Sequence, residues 1–166
     1  NIQGIGDKHV PFIHNVMNTD FVIGVSDCAT DHLNLLFNTT VGRDYLHVRA
    51  GLGQERLASL GDLGLSSIAN ILGAIKYAKY AGLGAGDAVL TVATDGTEMY
   101  GTELDRTQRA VGPLDELAAA EIYGRYLLGA VTDHPLEVDR LGRERVFNLG
   151  YYTWVEQQGV SDEAEP

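Results

Sequence analysis

Apolar residues along this chain recur in two rhythms, short continuous runs and stripes at helical spacing, and the two alternate. Residues 21–25 form a compact apolar run, followed by the capping types Ser26 and Asp27 and then by Leu33, Leu36 and Phe37 on one side of a helical pattern. A strand feeding a helix is expected there. From 39 to 62 the periodicity fades; residues 45–48 have the composition of a short strand, punctuated around by Gly42, Gly51, Gly53 and Gly61. A clear helix follows, with Ser66 or Ser67 as N-cap, Ile68, Ile71, Leu72, Ile75 and Ala78 on one face, Lys76 and Lys79 towards the end, and Gly82 beyond it. Residues 88–93 are a nearly continuous apolar, β-rich run, the pattern of a strand covered on both faces. Pro113, with Asp115 and Glu116 after it, predicts a helix that buries Leu114, Leu117, Ile122 and Leu127. The last helical stretch, about residues 138–158, carries Phe147, Leu149, Tyr151, Trp154 and Val155, a stripe too broad for a free surface, so it is expected to pack on the sheet or on further chain. Strands alternating with helices predict an α/β three-layer sandwich, a mainly parallel sheet flanked by helices. The main domain is expected over residues 1–160, with 161–166 as a solvated acidic tail.

Composition narrows the partners. At 166 residues and 45% apolar content the chain can build one core. Its formal net charge of −11 repels phosphate backbones, which argues against nucleic acid and anionic lipid. Apolar runs fall far short of the roughly 20 residues that span a bilayer, and no signal-peptide pattern opens the chain, so a cytoplasmic protein is expected. Cys28 stands alone between Asp27 and Asp31 and is expected to be an inert, half-buried helix residue. The chain opens at Asn1 without methionine and enters a glycine-rich turn at once, as a piece of a longer protein would.

In a parallel sheet, ligands gather at the carboxyl ends of strands, which here means residues 3–6, 63–67 and 94–100. Gly4-Ile5-Gly6 lets backbone amides approach a planar or anionic ligand, although read alone it is first a plain connecting turn; His9 stands where a dinucleotide fingerprint needs its third glycine. Ser66 and Ser67 at a helix start are either caps or, for one of them, a hydroxyl turned to a ring nitrogen or an anion. Thr94-Asp95-Gly96-Thr97-Glu98-Met99-Tyr100 sets polar atoms after a buried run, or is a polar turn with Asp95 as its Asx residue. The histidines give no metal site, since His9 and His14 are off the one-turn spacing of two helical ligands, and no Gly-x-Ser-x-Gly elbow supports a hydrolase.

Read in register, these segments resemble one family. Ile2-Gln3-Gly4-Ile5-Gly6 with Pro11 resembles the "IQGIG…P" turn of cysteine synthases, and Val25-Ser26-Asp27 resembles their "VSD" helix opening. Gly64-Leu65-Ser66-Ser67 resembles their "GISSGA", and residues 89–100 resemble their "VVVLPDSGERY" strand and turn. The family is the fold-type II pyridoxal-phosphate enzymes, which includes cysteine synthase, the tryptophan synthase β-like enzymes, threonine synthase and serine/threonine dehydratases. The chain is also similar to a bacterial cysteine-synthase-like branch of that family, most visibly at residues 147–160.

The resemblance implies the C-terminal part of a pyridoxal 5′-phosphate enzyme acting on a small amino-acid substrate by β-elimination or β-replacement, and a homodimer by analogy. Ser66 matches the serine that hydrogen-bonds the pyridine nitrogen. Gly4, Ile5 and Gly6 match the turn beside the cofactor. Asp95, Glu98 and Tyr100 match the turn after the last strand, and nearby Thr97 is a second candidate partner for the cofactor ring. Departures are the Ile68-Ala69 pair in place of Gly-Ala, a longer stretch over 39–62, and the order Gly96-Thr97. None of Lys8, Lys76 and Lys79 lies in a segment like the family's cofactor-holding lysine motif, and no phosphate cup is present, so no catalytic residue is named here. Dehydratase or threonine-synthase-like activity is the enzymatic alternative; a non-catalytic α/β ligand-binding or subunit-interaction domain is the alternative of another class.

Overall fold

A computed structural model describes residues 9–161. It divides into two compact units, one formed by residues 24–134 and the other by the described residues on either side of that span. The larger unit is helical: α1 (Asp27–Asn38), α2 (Thr40–Val48), α3 (Gln54–Ser59), α4 (Leu65–Ala81), α5 (Gly101–Val111) and α6 (Glu116–Ile122), with α6 running on into a wider turn at Tyr123–Leu128. Its centre is α1, which packs against α2, α4, α5 and α6. Leu33, Leu36 and Phe37, three and four positions apart, put one stripe of α1 into a core shared with Leu46, Ile68, Leu72 and Ile122. Burying one such side chain contributes roughly 1.5–3 kcal/mol.

Two residue choices set the path of this unit. Thr39 joins α1 to α2: its hydroxyl donates to Leu35 O at 2.9 Å and accepts from Gly42 N at 3.2 Å, closing one helix and opening the next. At the far end of α4, Gly82 takes the left-handed conformation (φ 65°) that a helix-terminating glycine adopts without steric cost. Gly24 N donates to His134 O at 3.0 Å and brings the two ends of the unit together.

The smaller unit holds β1 (Phe21–Ile23) paired antiparallel with β2 (Pro135–Glu137), Phe21 opposite Glu137 and Ile23 opposite Pro135. Proline is tolerated here because the pair is all edge. Helix α7 (Arg140–Tyr151) is capped by Asp139, whose carboxylate accepts from Gly142 N at 2.7 Å, and continues into a wider turn at Tyr152–Gln157. The indole N–H of Trp154 donates to Val10 O at 2.7 Å, and the Phe12 ring stands edge-on to it.

The expected α/β sandwich is overturned. Among the described residues the only sheet is this two-stranded antiparallel pair, and the regular elements of the larger unit are all helices. The 21–25 run does make a strand, but it pairs antiparallel with residues 135–137 rather than joining a parallel sheet. Residues 88–93 are extended but form no ladder, and Val89, Leu90 and Val92 are exposed. A β-rich composition makes a strand only where a neighbouring backbone takes up its N–H and C=O groups, and none among the described residues does so here. Residues 45–48 belong to α2, because Thr39 caps a helix and Leu46 faces the core. The helix expected from Pro113 starts later, with Asp115 as N-cap; Ile122 is buried as expected, whereas Leu117 is exposed. Cys28, expected to be half-buried, is exposed on the first turn of α1.

Candidate functional site

The start of α4 and the turn over residues 94–100 are bound together. Gly64 is the N-cap residue of α4, so neither Ser66 nor Ser67 caps it, contrary to the simplest reading of their position. Gly64 N donates to Asp95 O at 2.7 Å, and the approach is so close that a Cβ on Gly64 would stand 2.5 Å from that oxygen and 2.5 Å from the Tyr100 ring. Only glycine admits this contact. Three residues on, the Ser67 hydroxyl accepts from Thr94 N at 2.8 Å and lies 3.4 Å from the Thr94 hydroxyl. Ser67 has no exposed surface, so this bond satisfies a group that would otherwise cost about 1–3 kcal/mol to bury. One turn later Asn70 Nδ2 donates to Val92 O at 2.9 Å. The 92–95 backbone is thus held against α4 by side chains of the helix rather than by a strand.

The other end of the turn is fastened to α1. Thr97 donates its hydroxyl proton to Asn34 Oδ1 at 2.8 Å, and the same oxygen accepts from Asn38 Nδ2 at 2.9 Å. Asn34 is buried on the apolar face of α1, where an uncharged side chain with a fixed partner is tolerated. The Tyr100 hydroxyl donates to Asp95 Oδ2 at 3.4 Å, across a ring that is itself buried.

Of the residues singled out from sequence, Ser66, Asp95 and Thr97 come together at this junction, while Gly4, Ile5 and Gly6 lie outside the described residues. Their states differ. The carbonyl of Asp95 is engaged by Gly64 and the hydroxyl of Thr97 by Asn34, so both hold the turn in place. Ser66 is buried, and no described residue donates to or accepts from its hydroxyl. Asn34 and Asn70 are the parts that sequence reasoning missed, and Ser67, read as a cap or a ligand-facing hydroxyl, instead holds Thr94 N. Asn34 had a signal: a lone amide beside Leu33 and within the stripe of Leu36 and Phe37 is a buried polar group in need of a partner. No group of three or more metal-ligating side chains occurs among the described residues.

Set against protein-family models, curated proteins and solved structures, the chain matches none of them.

Proposed function

We propose that this chain supplies one wall of a pyridoxal 5′-phosphate site in an enzyme of amino-acid metabolism, a cysteine-synthase-like lyase or transferase that eliminates or replaces the β-substituent of a serine-type substrate. The observation that carries the reading is Ser66: a residue only 6% exposed on the first turn of α4, whose hydroxyl has no described partner, beside a serine whose hydroxyl holds Thr94 N. A capping role does not account for it, because Gly64 occupies the cap. Further support is that two of the segments resembling the family, residues 64–67 and 94–100, are hydrogen-bonded to each other.

The residues fit the group at that one atom. When bound, pyridoxal phosphate supplies an electron sink for charge developing on the substrate. The Ser66 hydroxyl offers the ring nitrogen a neutral hydrogen bond and no proton to hold, which suits elimination and replacement at the β-carbon. Gly64, Ser67 and Thr94 keep that hydroxyl in place through the short contacts of the α4 start. Asp95 and Thr97 are supports of the turn in this reading, not ligands of the ring. A dehydratase or threonine-synthase-like reaction would use the same wall with a different substrate.

The test is a pair of substitutions in the enzyme that carries this chain, with the visible absorption of bound cofactor and β-replacement of O-acetylserine as readouts. Ser66→Ala removes one neutral hydrogen bond, worth about 1 kcal/mol, and should cost up to roughly tenfold in rate. Ser66→Asp sets a carboxylate against the ring nitrogen and should cost far more while the protein stays folded and coloured. Wild-type rates in both variants, with cofactor bound, would refute the assignment.

A further inference from the structure

The helical unit also holds a cleft of about 630 Å³, lined neither by Ser66 nor by the 94–100 turn. Its floor is apolar: Val25, Ala29 and Leu72 at the crossing of α1 and α4. Polar groups stand around it in a definite state of pairing. The Lys76 ammonium, 11% exposed, lies 2.6 Å from Asp133 Oδ1 and donates to Gly24 O at 2.7 Å. The hydrogen bond that Lys76 donates to Asp133, together with its charge, holds the Asp133 carboxyl below its ordinary range, so the two form an internally neutralised ion pair at neutral pH. Arg125 also lines the cleft, with its guanidinium 5.3 Å over the Tyr126 ring, and has no acidic partner among the described residues. The Tyr126 phenol is pushed up to about 12, by burial first and by its hydrogen bond with Cys28 second, and so stays neutral beside it. Ser26, which also lines the cleft, is the N-cap residue of the twelve-residue α1 but does not use its side chain to cap it.

These states select a ligand. A cation finds no free carboxylate, since Asp133 is taken by Lys76. A dianion such as phosphate would meet a single unpaired positive charge and an apolar floor. One unpaired guanidinium over a greasy floor suits one carboxylate on an apolar body, because a guanidinium pairs with a carboxylate through two parallel hydrogen bonds. We propose that this cleft binds a small organic monocarboxylate, its charged end between Arg125 and Ser26 and its tail on Val25, Ala29 and Leu72.

Calorimetric titration of the full chain with acetate, propionate, isovalerate and phenylacetate, alongside isovaleramide and isoamylamine, tests this. Affinity should rise roughly fourfold per added buried methylene, and the amide and amine should bind at least about tenfold more weakly than isovalerate. Arg125→Gln, at an exposed position, should weaken isovalerate by about tenfold or more, tenfold being the lower end of what a charged hydrogen bond contributes. Ala130→Phe should abolish binding by filling the cleft, with the circular dichroism of the chain unchanged. Equal binding of the amide and the carboxylate, indifference to Arg125→Gln, or no heat with any carboxylate would each overturn the proposal.

Discussion

Replacing Gly64 with alanine tests the junction between α4 and the 94–100 turn with the smallest possible perturbation, one methyl group. The backbone there (φ −76°) is allowed to any residue, so no conformational strain enters. Removing glycine from the unfolded chain should by itself stabilise by about 0.4–1 kcal/mol. Against this, the new Cβ would stand 2.5 Å from Asp95 O and from the Tyr100 ring, and 3.1 Å from Gly96 O. Neither near neighbour is a flexible tip: the oxygen belongs to backbone bound by Gly64 N at 2.7 Å, and the ring is buried. Overpacking of this kind costs about 1–3 kcal/mol, and stretching the hydrogen bond costs about 0.5–1.5 kcal/mol more. The net expectation is a loss of about 2 kcal/mol, or roughly 4–8 °C in Tm. Gly53→Ala is the control: it too is a helix N-cap (φ −70°), but its Cβ meets nothing within 4 Å, so it should lie within about 0.5 kcal/mol of the parent. Thermal and urea unfolding should be followed by far-UV circular dichroism, because the lone tryptophan, Trp154, belongs to the other unit and would report on that instead. Equal stability of Gly64→Ala and Gly53→Ala would refute the close approach of α4 to Asp95.

Two further outcomes follow from the same geometry. Leu36→Ala, at a position with no exposed surface in the α1 stripe, should cost about 2–5 kcal/mol in urea unfolding; a loss under about 1 kcal/mol would mean that α1 is not the centre of the core. The Lys76–Asp133 pair should give the chain an acid-side stability dependence. With the Asp133 carboxyl held below the ordinary aspartate value of 3.8, its contribution is fully present above that pH and is lost as pH falls through the lower folded value. Asp133→Asn should flatten that part of a urea-midpoint profile, and unchanged steepness below about pH 4 would show that the pair does not form.

Several elements of this fold were legible in the sequence because their causes are local. The stripe of Leu33, Leu36 and Phe37, the Ile68 and Leu72 face of α4, and Gly82 as its terminator all lie where period and capping chemistry put them. The long helix after residue 138 also forms, as α7 and the turn beyond it. Of the candidate site, the junction of Ser66 with Asp95 and Thr97 was expected from their shared place beside strand ends, yet it forms for a different reason: Ser67, Asn70 and Asn34 tie an extended segment to helices, and no parallel sheet brings the two together.

By itself, then, the sequence determined α1, α4, α6 and α7, whose hydrogen bonds join residues four apart and whose stripes name their buried faces, but not α2, where residues 45–48 read as a strand, nor α3 and α5. Only the tertiary structure decided the strands, the direction of β1, the unpaired state of residues 88–93, and which hydroxyl of the Ser66-Ser67 pair is free. A strand exists only through a partner distant in the chain, as with Phe21 and Glu137, and a hydroxyl is spent or spare according to what packs against it, as Thr94 does on Ser67. Neither relation is written in the spacing of neighbouring residues.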